Sequence, residues 1–314
     1  MLTIELPFRP LKEEQISARM RILQENVLDY PVGLCVIGPW DDFFIAENRE
    51  TIRRRLAKID RSRFRIDLHA PLNKEDRNAN FFSSQRGFGN WREILDFAEG
   101  IGVGVVNAHA ALALTFDEIN YLGEDGLEEM RQRHIQLVAI GLNDSQEWET
   151  QICIENTPDI ECARFLDALN GKMETDPREV MYRVAFVEAE DFLDLRQLAP
   201  SALATIDVAH LAAMCDSSEI VSKMALVKDM MPHIHLSDAS GKWRSHRSPF
   251  QTGLIPGKGR IGGRVFREII NFISRLAANR DISVVVEVCD DGDFVASKTS
   301  VEALQVLMNW FKGG

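Results

Sequence analysis

Eight times along this chain a short β-branched run is followed by a polar loop and then by an amphipathic stretch. The runs are Leu2–Phe8, Val32–Ile37, Phe64–His69, Val103–His109, Gln151–Glu155, Ala204–Asp207, His233–Leu236 and Ser283–Val288. Helical patterns fall between and after them, near 11–28, 47–59, 90–100, 127–142, 177–197, 217–230, 263–278 and 299–311. Strands that alternate with helices imply a parallel sheet. Eight such units in 314 residues fit the size of a (β/α)₈ barrel. The expected fold is therefore α/β, one TIM barrel spanning residues 1–314, with a doubly wound open sheet as its rival. SVVVEV and VGVVNAH read as near-continuous apolar runs, as strands buried on both faces do. Pro7 sits near the end of the first run and makes it the least regular of the set.

The ionisable residues follow this periodicity. RIDLHAP carries His69, VVNAHAA His109, ICIENTP Glu155, ATIDVAHL Asp207 and His210, HIHLSDAS His235 and Asp238, and SVVVEVCD Glu287. In a parallel barrel all strand C-termini reach one rim, where barrel enzymes hold their chemistry. A buried carboxylate costs several kcal/mol unless it is paired or metal-bound. Six strand ends bearing His, Asp or Glu are therefore hard to attribute to packing. Glu155, Asp207, His235 and Glu287 come from four successive strands. One imidazole and three carboxylates form a hard, oxygen-rich set suited to one divalent ion: manganese, magnesium, cobalt or zinc.

Composition narrows the class. Apolar residues make up 45% and charged residues 27%, ordinary values for a globular chain. Lysine and arginine total 36 against 48 acids, a net charge of −12, which makes nucleic acid an unexpected partner. Five scattered cysteines without a CxxC motif point to reduced thiols and a cytoplasmic location. No apolar run is long enough to cross a bilayer, and no secretory signal is evident, so no membrane partner is expected. A homo-oligomer is left open.

The segments HAPL (69–72), VVNAHA (105–110), ICIENTP (152–158), TIDVAHL (205–211), HIHLSDASG (233–241), IPGKGRIG (255–262) and VVVEV (284–288) resemble the xylose-isomerase-like barrel superfamily in order and spacing. That group joins sugar isomerases and epimerases to endonuclease-IV-type apurinic-site nucleases. Resemblance to the isomerase branch implies Glu155, Asp207, His235 and Glu287 as metal ligands. It also implies Glu155 and Glu287 as acid and base, and His210 as a substrate contact near the metal. The reaction implied is isomerisation or epimerisation of a sugar, sugar phosphate, polyol or sugar acid through an enediolate. Resemblance to the nuclease branch would instead recruit His69, His109 and His210 as further ligands of a trinuclear zinc cluster. The D-x-H pair of the nucleases has no evident counterpart. Gln251 and Gly253 stand at the corresponding positions, and Arg244 lies two residues before His246. The expected activity is accordingly the isomerase, with an apurinic-site nuclease and a non-catalytic sugar-binding barrel as alternatives.

His69, His109 and His210, with His246, Arg244 and Lys258, are assigned to the substrate. The basic loop 237–262 is read as a clamp for an anionic sugar phosphate or acid. Gly257–Gly262 fits G-x-G-x-x-G but follows a loop rather than a strand, so no nucleotide cofactor is expected. A bland turn is its expected role, with phosphate contact as the minor alternative. The aromatic loop 73–91 is expected to pack over the barrel mouth. The segment 159–177 is expected to form a short helix over the rim. His134 is expected on a helix surface, and His233 in a structural role. Cys153 and Cys289 are expected to be small buried apolar groups, although either could face the lumen.

Overall fold

In a computed structural model, which describes residues 1–71, 81–82, 84–157, 181–240, 251–288 and 298–313, the sheet closes into a barrel. The strands are β1 (Leu2–Phe8), β2 (Val32–Val36), β3 (Phe64–His69), β4 (Val105–His109), β5 (Gln151–Glu155), β6 (Leu203–Asp207), β7 (His233–Leu236) and β8 (Ile282–Val286). Each pairs in parallel with its neighbours in sequence, and β1 closes the ring on β8. This is the (β/α)₈ barrel expected from the alternation, and the open-sheet rival is excluded.

Pro7 fits because of where pairing stops. The β1–β8 register ends at Glu5 opposite Val285, whereas β1–β2 pairing runs on to Phe8 opposite Val36. In a parallel ladder alternate residues bond to opposite neighbours. The even residues of β1 serve β2, as in the bond from Ile37 N–H to Phe8 O. The N–H that Pro7 lacks would have faced β8 beyond the end of that pairing, so its loss costs no ladder bond.

Side-chain alternation sorts the strands into two faces. Ile4, Leu6, Leu34, Ile66, Val106, Ile154, Ile206, Ile234 and Val284 belong to the apolar core under the helices. The helix Gly262–Ala277 shows how the outer layer is held. It buries Val265, Phe266, Ile269, Ile270 and Ile273, spaced three and four residues apart on one face. Each such side chain contributes about 1.5–3 kcal/mol when taken from water. The lumen-facing register is unusually polar. It carries Glu5, Asp67, Asn107, Thr205, His233 and Ser283, all buried, where barrels commonly stack Val, Ile and Leu.

Two antiparallel strand pairs lie beyond strand C-termini. Ala113–Thr115 pairs with Met181–Arg183, and Asp238–Ser240 with Gln251–Leu254. The helix expected over 177–197 is therefore corrected. Residues 181–183 form a strand, and the helix covers Glu190–Leu198. Strand pairing with a distant segment overrides the local helical pattern. The stretches 72–80, 158–180, 241–250 and 289–297 lie outside the described residues. With them go the segment 159–177, Cys289, and residues 241–250 of the basic loop and 73–80 of the aromatic loop. Phe81, Phe82 and Trp91 are buried, with ring centroids of both phenylalanines 5.2 Å from Trp91. That agrees with a packing role. Among the described residues no helix is long and apolar enough to cross a membrane.

Candidate metal centre

Strands β5 to β8 bring four predicted residues to one point. His235 Nδ1 lies 3.1 Å from Glu287 Oε2, 3.3 Å from Glu155 Oε1 and 3.9 Å from Asp207 Oδ2. Strands β5 and β8 are three apart around the rim, yet their carboxylates meet at the same imidazole nitrogen. Register explains the meeting of the central pair, since Asp207 stands opposite His235 in the β6–β7 ladder.

Three further histidines ring the same carboxylate. His69 Nε2 and His109 Nε2 each lie 3.3 Å from Glu155 Oε2, and His210 Nδ1 lies 3.4 Å from Glu155 Oε1. His109 is opposite Glu155 in the β4–β5 ladder. His210 sits in the first turn of the helix Val208–Met214, whose N-terminus is capped by Asp207. The Asp207 carboxylate accepts from the His210 backbone N–H at 2.7 Å. One carboxylate thus caps a helix and still presents its Oδ2 to the cluster.

Two residues of the site went unread in the sequence. Asn107 donates its side-chain amide to Glu155 Oε2. Asn156 Oδ1 accepts from the Asp207 backbone N–H at 2.7 Å, and Asn156 also accepts His210 Nδ1 at its backbone carbonyl, 2.9 Å away. Asn107 was findable. It is two residues before His109, so it shares that face of the strand. Asn156 directly follows Glu155, but only closure of the barrel shows what it holds. Arg9, one residue past β1, also lines the cavity at the rim. That cavity, of about 380 Å³, is further lined by His69, His109, Glu155, His210 and Glu287.

The electrostatics follow from burial and proximity. Burial pushes the Glu155 carboxyl up, but the imidazoles of His235 and His109 more than reverse this and leave it well below the usual carboxylate range. Burial opposes protonation of His235, yet Glu155 and Glu287 outweigh it and raise this histidine well above its ordinary value. The Glu287 carboxyl is lowered, because His235 overcomes its burial. Burial raises Asp207 to about 6 and lowers His109 to about 4. His69 is raised, since its bond and charge interaction with Glu155 exceed the desolvation that opposes them.

These donors fit a divalent cation. Among the described residues, both ring nitrogens of His235, and Nε2 of His109, are buried without a hydrogen-bond partner. Buried polar atoms of folded proteins rarely stay unpartnered. One ligand atom each from Glu155, Asp207 and His235 lies within 4.8 Å of the others, and the same holds for His69, His109 and Glu155. Glu155 belongs to both groups.

Other predicted positions fall elsewhere. Lys258 pairs with Glu302 at the surface and is not among the residues lining the rim cavity. The expectation that it serves the substrate has no support in its placement. The glycine-rich turn beside it is filled from within. Asp238 Oδ2 accepts from Gly259 N–H at 2.8 Å, and its Oδ1 accepts from Ile261 N–H at 3.0 Å. A side-chain carboxylate thus occupies these backbone donors of the turn. His134 is buried rather than exposed. Its Nε2 lies 2.6 Å from Ala110 O, behind the strand end that carries His109. Arg244 and His246 lie outside the described residues.

Comparison with known proteins places the fold. A family model described as xylose isomerase-like TIM barrel matches residues 32–312. The chain belongs to that family. Its fold is also that of a D-tagatose 3-epimerase-like protein (TM-score 0.64, 15% identity, covering 98% of this chain and 97% of the other). It is equally similar to a xylose isomerase domain protein from Planctomyces limnophilus (TM-score 0.64, 13% identity, 99% and 97% covered). D-psicose 3-epimerase from Clostridium cellulolyticum H10 matches at a TM-score of 0.56 and 11% identity, with 99% and 98% covered. No curated protein matches the chain by sequence.

Proposed function

We propose that this barrel, residues 1–314 taken as one domain, is a divalent-metal-dependent isomerase or epimerase. Its substrate class is a small sugar, sugar phosphate, polyol or sugar acid. The observation that carries this reading is the convergence of Glu155, Asp207 and Glu287 on one nitrogen of His235. The family, and the epimerases among proteins of similar fold, support it.

Glu155, Asp207, His235 and Glu287 would hold the ion. When bound, a divalent cation there stabilises the negative charge that grows on a carbonyl oxygen as the neighbouring carbon loses its proton. The protein supplies the rest. Glu155 is kept ionised by the imidazoles around it, so it can accept a proton. Glu287 is the least buried of the four and borders the cavity, so it can return a proton from its own side. His210 spends Nδ1 on Asn156 O, which leaves Nε2 for a substrate hydroxyl. Arg9, His69 and His109 complete the cavity wall.

The test is exchange of solvent deuterium into a panel of ketoses, with manganese or cobalt restored to metal-stripped protein. Incorporation at the carbon beside the carbonyl is expected. No exchange with any ketose, under conditions where the metal is bound, would overturn the assignment.

A second reading rests on His69 and His109, which flank Glu155 closely enough for a second ion. Paired ions suit phosphodiester hydrolysis, and this is the apurinic-site nuclease alternative. Nicking of an abasic duplex without ketose exchange would select it.

A further inference from the structure

One layer below the rim, the lumen holds a second set of buried donors. Glu5 comes from β1, Asp67 from β3 and His233 from β7, and each is fully buried. Every one of them spends one polar atom on the scaffold. Ser283 Oγ donates to Glu5 Oε1 at 2.7 Å. Arg65 Nε and the Val105 backbone N–H both donate to Asp67 Oδ1 at 2.9 Å. His233 Nδ1 lies 3.0 Å from Thr205 Oγ1.

Among the described residues, the remaining atom of each has no partner from the scaffold. Glu5 Oε2, Asp67 Oδ2 and His233 Nε2 are all buried without a hydrogen bond. His233 Nε2 is 3.8 Å from Asp67 Oδ2, and one ligand atom from each of the three residues lies within 4.8 Å of the other two. Two carboxylates and an imidazole turned inward this way, each braced from behind, match the inner and outer layers of a metal site. Arg65 reaches the braced side, 2.9 Å from Asp67 Oδ1 and 3.8 Å from Glu5 Oε1.

The backbone makes room for this cluster. A Cβ on Gly33 would lie 2.9 Å from Glu5 Cγ, and one on Gly104 would lie 2.8 Å from both Arg65 Nε and Asp67 Oδ1. A cavity of about 740 Å³ opens at the opposite end of the barrel from the rim. It is lined by Thr3, Arg65, Gly104 and Gln151, so solvent approaches the floor of the lumen from below.

We infer that Glu5, Asp67 and His233 form a second divalent-cation site on the lumen floor, separate from the rim cluster. The donor set suits manganese, cobalt or zinc. An ion there ties β1, β3 and β7 across the lumen, and its role is to brace the barrel beneath the site.

The experiment counts and locates ions in the full chain. Protein stripped with a chelator is reloaded with manganese or zinc alone and measured by elemental analysis. Glu155 belongs to both rim groups, so Glu155→Gln disables the rim and isolates the floor. Glu155→Gln is expected to keep one ion per chain, and Glu155→Gln/Asp67→Asn to keep none. The metal should raise the Tm of the first variant and not of the second. Anomalous diffraction from the unmodified protein reads the site even if Asp67→Asn does not fold, with a peak expected among Glu5, Asp67 and His233. Absence of an ion from Glu155→Gln, or an anomalous peak confined to the rim, would overturn the floor site. Such a peak would leave the rim assignment untouched.

Discussion

Asn156 and Asp207 hold each other at both ends. The Asn156 side chain accepts from the Asp207 backbone N–H at 2.7 Å and donates to the Asp207 backbone carbonyl at 3.2 Å. It thus continues the β5–β6 ladder past its last pair, Glu155 and Thr205, and fixes the backbone from which the Asp207 carboxylate projects. Asn156→Ala should weaken metal binding about 10–100-fold, the usual effect of losing an outer-shell partner. Unfolding should become easier by about 1–3 kcal/mol, because buried Asp207 backbone groups lose their partners. Metal titration and thermal melts of the stripped protein separate the two effects.

The two glutamates differ in setting, and so should their variants. Glu155 touches five side chains of the cluster, Asn107, His69, His109, His210 and His235. Glu287 contacts His235 and is partly exposed. Glu155→Gln should abolish both ketose exchange and ion retention at the rim. Glu287→Gln should slow exchange about 10²–10⁴-fold, the range for a general acid or base, with a smaller loss of metal. If Glu287→Gln exchanges at the unmodified rate, its assigned proton-transfer role is wrong.

Metal uptake should release protons and strengthen as pH rises. In the metal-free protein His235 is raised above its ordinary value and Asp207 is raised to about 6, so both hold protons that a cation must displace. Affinity should therefore climb through pH 6 and on past the ordinary histidine value. Calorimetry in two buffers of different ionisation enthalpy should show about one proton released per ion near neutrality.

The same shifts set the stability of the stripped protein. A carboxyl raised by burial binds its proton more tightly in the fold than in the unfolded chain. The Asp207 contribution therefore falls as pH climbs from the ordinary carboxylate value to about 6. A histidine raised in the fold contributes fully below its ordinary value and loses that contribution as pH rises through the folded value. Both contributions decline with increasing pH, and bound metal should offset the decline. Denaturant melts with and without metal at pH 5 and pH 8 should show the larger metal effect at pH 8.

Two glycines should respond oppositely to alanine. At Gly104 the added Cβ meets Arg65 and Asp67 at 2.8 Å, so Gly104→Ala should destabilise by about 1–3 kcal/mol. Gly89 lies exposed inside the helix Gln85–Gly100, and among the described residues nothing comes within 4 Å of where a Cβ would stand. Gly89→Ala should stabilise by about 0.5–1 kcal/mol through helix entropy. Chemical denaturation of both variants checks the pair.

The barrel and its rim were legible because they depend on short-range order. Leu2–Phe8, Phe64–His69, Gln151–Glu155 and His233–Leu236 were readable to the residue, since apolar alternation and turn punctuation are local. Parallel strands then carry every C-terminal residue to one end, so Glu155, Asp207, His235 and Glu287 could be grouped before any distance was known. Closure of the ring decided the rest. It set which lumen-facing residues stand at the same height, brought Glu5 within reach of Asp67 and His233, turned His134 inward and left Lys258 on Glu302. The physical reason is range: a strand's own pattern fixes which face a side chain takes, whereas its height against strands far away in sequence is fixed only when the last hydrogen-bond ladder, β8 to β1, is made.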